Sequence, residues 1–341
     1  MHFSTALISA FAATLVAAHP GANVEEEAQE RRGFLSTAKR TNLDHCSAQI
    51  KARGLGKTAA LRRRTLMENK AKRGVVAQRD LADLNKSHHS DADYDTTTPL
   101  DTLFEKEKSC VLAPETTEGP YYVAGEFIRH NVAENEPGVP LTLDLAIYDV
   151  ETCDPITDTW VQIWSCNSTG IYSGVPSGAD YTPAPENLKT TFLRGFQQTD
   201  ASGAAQFETL FPGHYSGRTQ HVHVAVHPTG SATPRANGTI DEATVSHVGQ
   251  FYFDQALSDE VERLAPYSAN AQPLTANADD RLLLADLATS DPIVEYVLLG
   301  ETVADGLLAW FSFGVNMTAT REARVAATYY EGGGVATPEE E

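Results

Sequence analysis

The chain has 341 residues, 41% of them hydrophobic, with four cysteines and a formal net charge of −20. That is the make-up of a globular protein with room for one large or two modest domains. The charge is unevenly placed: residues 41–79 carry a net +8, so everything after 79 carries about −28. A body this acidic repels nucleic acid and anionic membranes, and neither is an expected partner. The basic stretch reads as packing against its own acidic body rather than as a polyanion site.

Met1–Ala18 (MHFSTALISAFAATLVAA) is apolar and ends in small residues, with Val16 and Ala18 where a signal peptidase reads. It is too short, and too polar at its flanks, for a membrane anchor, and no later apolar run would span a bilayer. The expectation is a secreted, extracellular protein with residues 1–18 as signal peptide. In an oxidising compartment Cys46, Cys110, Cys153 and Cys166 read as two disulfides. Nearness in sequence favours Cys153–Cys166, with Cys46–Cys110 tying the N-terminal segment to the core. Asn85, Asn167, Asn237 and Asn316 each open an Asn-x-Ser/Thr sequon, a potential glycan acceptor.

Residues 19–40 are polar, contain Arg31-Arg32 and end in Lys39-Arg40, which suggests a short propeptide. Residues 41–98 form a basic helical segment and linker. Up to 85, good helix formers surround Ala59, Ala60, Leu61, Leu66 and Met67, predicting two or three short helices. Residues 86–98 are polar linker, and His88-His89 reads there as solvated rather than as a ligand pair.

From 99 to 325 the pattern is one of short strands. Leu141, Leu143, Leu145 and Ile147 alternate with Thr142, Asp144, Ala146 and Tyr148, predicting a half-buried strand. Further strands are predicted at 160–166, 204–209, 221–227, 248–253 and 306–316, with short helices or loops at 279–287 and 291–299. Regular short strands with Gly/Pro turns argue for a mainly β protein, a β-sandwich core with a short N-terminal helical segment. The tail, 326–341, is Gly-rich and acidic from Gly332 and reads as flexible.

Chemistry concentrates between Phe211 and His227 (FPGHYSGRTQHVHVAVH). His221 and His223 are spaced i, i+2 in a β-branched run, so both imidazoles share one face of a strand. Tyr215 stands in the turn before them, after Pro212-Gly213, and Arg218 lies three residues ahead of the first histidine. Gly170-Ile171-Tyr172-Ser173-Gly174 is the best source of a fourth donor. Two phenolates with two imidazoles suit a highly charged, oxygen-loving metal, Fe(III) above all. Zinc prefers histidine with carboxylate or cysteine. His214 and His227 are rival ligands; His227 shares the face of the pair but lies roughly 7 Å beyond His223 at strand rise.

In these motifs the sequence resembles the intradiol ring-cleavage dioxygenases, most closely their secreted fungal branch. The resemblance covers about 110–318. It includes Pro114-Glu115-Thr116-Thr117-Glu118-Gly119-Pro120-Tyr121-Tyr122, the strand 141–149, VQIWSCNSTGIYSG, the turn from Thr199-Asp200 to Gly203, and FPGHYSGRTQHVHV. The resemblance implies a β-sandwich in which Tyr172, Tyr215, His221 and His223 hold a non-haem Fe(3+). It implies an enzyme taking a catechol-type aromatic diol and O2 to a cis,cis-muconate-type diacid, in breakdown of lignin-derived or plant phenolics. Tyr215 would leave the metal and take a substrate proton, while Arg218 would stabilise charge building on the ring. Thr219-Gln220 departs from the Pro-containing version common in cytoplasmic relatives. Pro120, Tyr121, Tyr122 and Ile171 stand as candidates for the pocket wall. Assembly is open, with a homodimer one option. Two other readings stay open: a secreted binding module that has lost turnover, and a copper or zinc protein using the same histidines.

Overall fold

The computed structural model describes residues 43–72, 109–111, 119–176, 183–242, 244–287, 291–330 and 333–337, with two isolated positions, 29 and 32. The signal sequence, nearly all of the expected propeptide, His88-His89, the sequon at Asn85, residues 114–118 of the shared motif and the last four residues lie outside these.

In chain order the principal strands are β1 (Pro140–Asp149), β2 (Trp160–Trp164), β3 (Arg194–Gln198), β4 (Ala204–Leu210), β5 (His221–Val226), β6 (His247–Tyr252), β7 (Glu295–Leu298) and β8 (Leu307–Val315). The helices are α1 (Ser47–Ala52), α2 (Leu55–Lys72), α3 (Gln255–Glu262) and α4 (Arg281–Leu287). One sheet pairs β1 in parallel with β8 and antiparallel with β4; β7 and the short strand Ser109–Val111 add to β8. The other runs β6-β5-β2-β3, antiparallel throughout. The two sheets close on one core, so the fold is the mainly β sandwich expected from the sequence.

Alternation explains which residues fill that core. Leu141, Leu143, Leu145 and Ile147 of β1 meet Val161 and Ile163 of β2, Val222, Val224 and Val226 of β5, and Phe311 and Phe313 of β8. Because side chains alternate, His221 and His223 are thereby turned to the far face of their sheet.

The expectation of a half-buried β1 fails, and the reason is the basic segment. From Leu141 to Tyr148 every residue of β1 is buried on both faces. Arg62 donates to both oxygens of Asp144 at 2.7 and 3.0 Å, and Arg63 donates to Oδ2 at 2.9 Å. Lys70 pairs with Glu208 at 2.6 Å, and Leu66 and Met67 pack against Val297, Leu299, Leu308 and Trp310. The cationic helix therefore covers the outer face of the acidic body, as its charge suggested.

The cysteine pairing also differs from the expectation. Cys46 is joined to Cys153, not to Cys110, and Cys166 is a free buried thiol. Leu43, Cys46, Ile50 and Leu55 pack with Ala146, Tyr148, Val150 and Cys153, which puts the two sulfurs under one hydrophobic cluster. Cys166 belongs to a different cluster, with Trp164, Tyr172 and Tyr215, its thiol donating to the carbonyl of Gly213 at 3.3 Å. Residues Gly333–Ala336 are not a loose tail: they pair antiparallel with Ala327–Tyr330, which in turn pairs with Val123–Ala124. Residues 291–299, expected as short helix or loop, instead supply β7, which pairs antiparallel with β8; β3 and α3 were not foreseen, because short segments with mixed patterns carry little periodicity.

Candidate metal centre

The outward face of the second sheet is built by register. Arg194 of β3 stands opposite Trp164 of β2, Trp164 opposite His223 of β5, and His223 opposite Gln250 of β6. Residues directly opposite on neighbouring strands share a face, so these four side chains form one row. His221 lies one step along, opposite Tyr252. Trp164 stacks on the His223 ring with centroids 4.7 Å apart and planes at 10°, which fixes its orientation.

Two loops bring the tyrosines over this row. The loop carrying Tyr172 and the loop carrying Tyr215 touch backbone to backbone. A Cβ on Gly213 would lie 2.3 Å from the Asn167 carbonyl oxygen, and one on Gly170 2.3 Å from that of His214. Gly170 also has φ +81°, a left-handed conformation that glycine takes without strain. The contact sets the Tyr172 and Tyr215 rings 5.7 Å apart, and Tyr121 stacks on Tyr172 at 4.1 Å.

The four residues singled out from the sequence come together. Tyr172 Oη lies 3.3 Å and Tyr215 Oη 3.4 Å from His221 Nε2, and the His221 and His223 rings are 4.9 Å apart. His221 Nδ1 donates to the carbonyl of Thr219 at 2.6 Å, the tautomer that leaves the Nε2 lone pair facing the phenols. All four are buried to within 2% exposure. Burial, reinforced by Tyr215, pushes the Tyr172 phenol well above its ordinary range. Phenolate in such a place needs a strong cation, and a ferric ion answers both the charge and the donor types. The residues fit that metal.

Of the rivals, His214 has both nitrogens engaged and His227 has one. His214 Nδ1 bonds Glu262 at 2.8 Å and its Nε2 faces the Gln272 carbonyl at 3.0 Å, so both nitrogens are used. His227 Nδ1 bonds the Thr244 carbonyl at 3.0 Å, its ring lies against Phe196, and burial holds its pKa down at about 4. The Cys166 thiol donates to the Gly213 carbonyl at 3.3 Å, and burial pushes it up to about 12. His45 lies beside Cys46 and Cys153, but those sulfurs are bonded to one another.

Arg218 is wholly buried beside the centre. Its Nε donates to Asp280 Oδ2 at 2.9 Å, and Nη2 to Gln250 Oε1 at 2.5 Å and Tyr252 Oη at 3.2 Å. Asp280 also caps α4, its Oδ1 accepting from the Leu282 and Leu283 amides, and its Oδ2 takes the Thr219 amide at 3.0 Å. One carboxylate thus fixes both the arginine and the loop that orients His221. Of the expected pocket wall, Tyr121 stands at the centre, whereas Tyr122 turns away to meet Trp164 edge-on and Ile171 packs with Phe192, Leu193 and Leu210. Sequence reasoning missed Asp280, Gln250, Tyr252, Trp164 and Arg194. An Asp just ahead of Leu282-Leu283-Leu284 was a visible helix-capping signal, and Gln250 and Tyr252 alternate with core residues on a strand that was foreseen.

Comparison with known proteins bears on the fold and the family. A family model described as Dioxygenase matches residues 117–237. Catechol 1,2-dioxygenase 1 of Acinetobacter lwoffii is 32% identical over 118 residues, covering 32% of this chain. The chain spans about a third (35%) of the length of that curated relative. The solved intradiol ring-cleavage dioxygenase from Tetranychus urticae is 32% identical, with a TM-score of 0.50, covering 61% of this chain and 96% of that one.

Proposed function

The chain belongs to the intradiol ring-cleavage dioxygenase family, and on that premise we propose that it cleaves catechol-type aromatic diols with O2, using Fe(3+) held by Tyr172, Tyr215, His221 and His223. The observation that carries this reading is the convergence of two buried phenols on His221 Nε2, within 3.4 Å. A ferric ion bound there would supply Lewis acidity toward both diol oxygens and a redox partner for O2. Tyr215 Oη, 3.4 Å from His221 Nε2, is placed to take the proton of the incoming diol. Arg218, held by Asp280, Gln250 and Tyr252, keeps a fixed cation where negative charge grows on the ring as oxygen attacks. Tyr121, stacked on Tyr172, and Trp164, stacked on His223, are buried against the centre. The product is a cis,cis-muconate-type diacid.

The protein acts outside the cell, on lignin-derived or plant phenolics. The disulfide Cys46–Cys153 supports an oxidising compartment, and among the described residues no helix is long and apolar enough to cross a membrane.

The test is metal analysis, visible spectroscopy and oxygen uptake on protein made in iron-replete medium. About one ferric ion per chain, a tyrosinate charge-transfer colour and oxygen uptake with members of a diol panel are expected. Stoichiometric zinc or copper in place of iron would overturn the reading. Iron and colour without turnover on any diol would favour a binding role.

A further inference from the structure

One buried charge cluster behind Tyr172 plays no part in the chemistry above. Arg194, in the register row with Trp164 and His223, is wholly buried, and its guanidinium carbon lies 5.9 Å from the centroid of the Tyr172 ring. Its Nε donates to the Ser173 carbonyl at 2.8 Å and to Ser173 Oγ at 3.0 Å, next in the chain to the tyrosine. Nη1 and Nη2 make no hydrogen bond among the described residues. The nearest carboxylate, Glu126, is equally buried and stands 3.9 Å from Nε. Neither of its oxygens has a hydrogen-bond partner among the described residues.

A guanidinium stripped of water, with two of its three nitrogens unbonded, is costly unless negative charge lies near. Glu126 gives that charge only in part, since burial lifts its pKa to about 7. Held as phenolate by a ferric ion, Tyr172 would be a second negative group within reach. A cation over a phenol ring is drawn to its electron-rich face, and more strongly when the ring carries charge in a dry site.

We infer that Arg194 is a positioning residue for the metal centre: its charge stabilises the Tyr172 phenolate from behind, and Glu126 sets how much of that charge the ring feels. This rests on the ferric reading given above. The pair tunes the donor strength of one ligand and touches neither diol nor O2.

The test compares ferric-loaded wild type with Arg194→Met, Arg194→Lys and Glu126→Gln at pH 8, reading the tyrosinate band and the ferric/ferrous potential. Removing the cation raises the donor orbital, so Arg194→Met should move the band to longer wavelength and lower the potential. Glu126→Gln removes the opposing charge and should move both the other way. Arg194→Lys should restore most of the wild-type position. A purely structural role, anchoring Ser173, would not give shifts of opposite sign for the two partners. Should Arg194→Met not fold, Glu126→Gln and Arg194→Lys decide by themselves. Bands and potentials unmoved, or moved in the same direction by the two charge-removing variants, would overturn the inference and leave the ferric reading standing. Absence of any tyrosinate band in iron-loaded wild type would overturn both.

Discussion

Replacing Arg218 disturbs two things at once. The guanidinium is the buried partner of Asp280, and Asp280 also caps α4 and holds the Thr219 amide. Arg218→Ala would strand that carboxylate, a loss of about 3–5 kcal/mol when one partner of a buried pair is removed. Arg218→Lys keeps a cation there and is the cleaner probe. It should bind iron and colour normally, yet lose roughly 10²–10³-fold in oxygen uptake, the usual effect of misplacing one preorganised charge-stabilising group. Wild-type turnover in a coloured Arg218→Lys protein would remove the arginine from the mechanism. Glu242 offers a second test at this scale. Burial pushes its pKa from 4.5 to about 8, with Glu126 adding to the effect, although its Oε1 accepts the Gly125 amide at 3.0 Å. The folded state therefore holds the proton more tightly than the unfolded chain. Stability is untouched below the unfolded value and declines as pH rises from there toward 8, at up to about 1.4 kcal/mol per unit. Glu242→Gln should melt like wild type near pH 4.5 and increasingly above it at pH 6, 7 and 8. Parallel melting curves across that range would show that the carboxyl is solvated.

Among elements, α2 decides more than its sequence suggests. Its Arg62 and Arg63 converge on Asp144, which also accepts from Gln206 at 3.0 Å, and Arg63 stands over Trp310. Burial alone would raise the Asp144 pKa, but the two arginines outweigh it and hold the group below its usual value. That contribution is present at neutral pH and is lost as acid protonates the carboxylate. Asp144→Asn should cost about 3–5 kcal/mol, since it leaves buried guanidinium without its counter-charge. It should also expose the 43–72 segment to limited proteolysis while the chain stays tethered through Cys46–Cys153. An unchanged melting temperature and cleavage pattern would mean that the helix is held by Leu66, Met67 and the disulfide alone.

At the scale of the whole molecule, burial sorts the sequons. Asn237 and Asn316 are exposed, each with Oδ1 turned to the Thr two residues on. Asn167 is 9% exposed, and its Nδ2 donates to Glu136 Oε2 at 2.8 Å, leaving no room for a sugar. Peptide mapping of the protein secreted from a eukaryotic host should find glycan at Asn237 and Asn316 and none at Asn167; a glycosylated Asn167 in folded protein would contradict this packing.

The sequence by itself determined the sandwich and most of the candidate donor set. The period-2 pattern of β1 and β5 is a local property, and His-x-His on a strand sends both imidazoles to one face whatever lies around it. Tyr215 and Arg218 are bound to that strand by a few residues of chain. Only the tertiary structure decided what meets across long separations. It brought Tyr172 to Tyr215 through two glycine-permitted backbone contacts, Asp280 to Arg218 across 62 residues, Arg62 and Arg63 to Asp144, and Cys46 to Cys153 across 107 residues. Nearness in sequence misled for the cysteines because a sandwich places consecutive segments on opposite faces. Which buried charge finds which partner depends on sheet register and layer order, and neither is written in any single stretch of the chain.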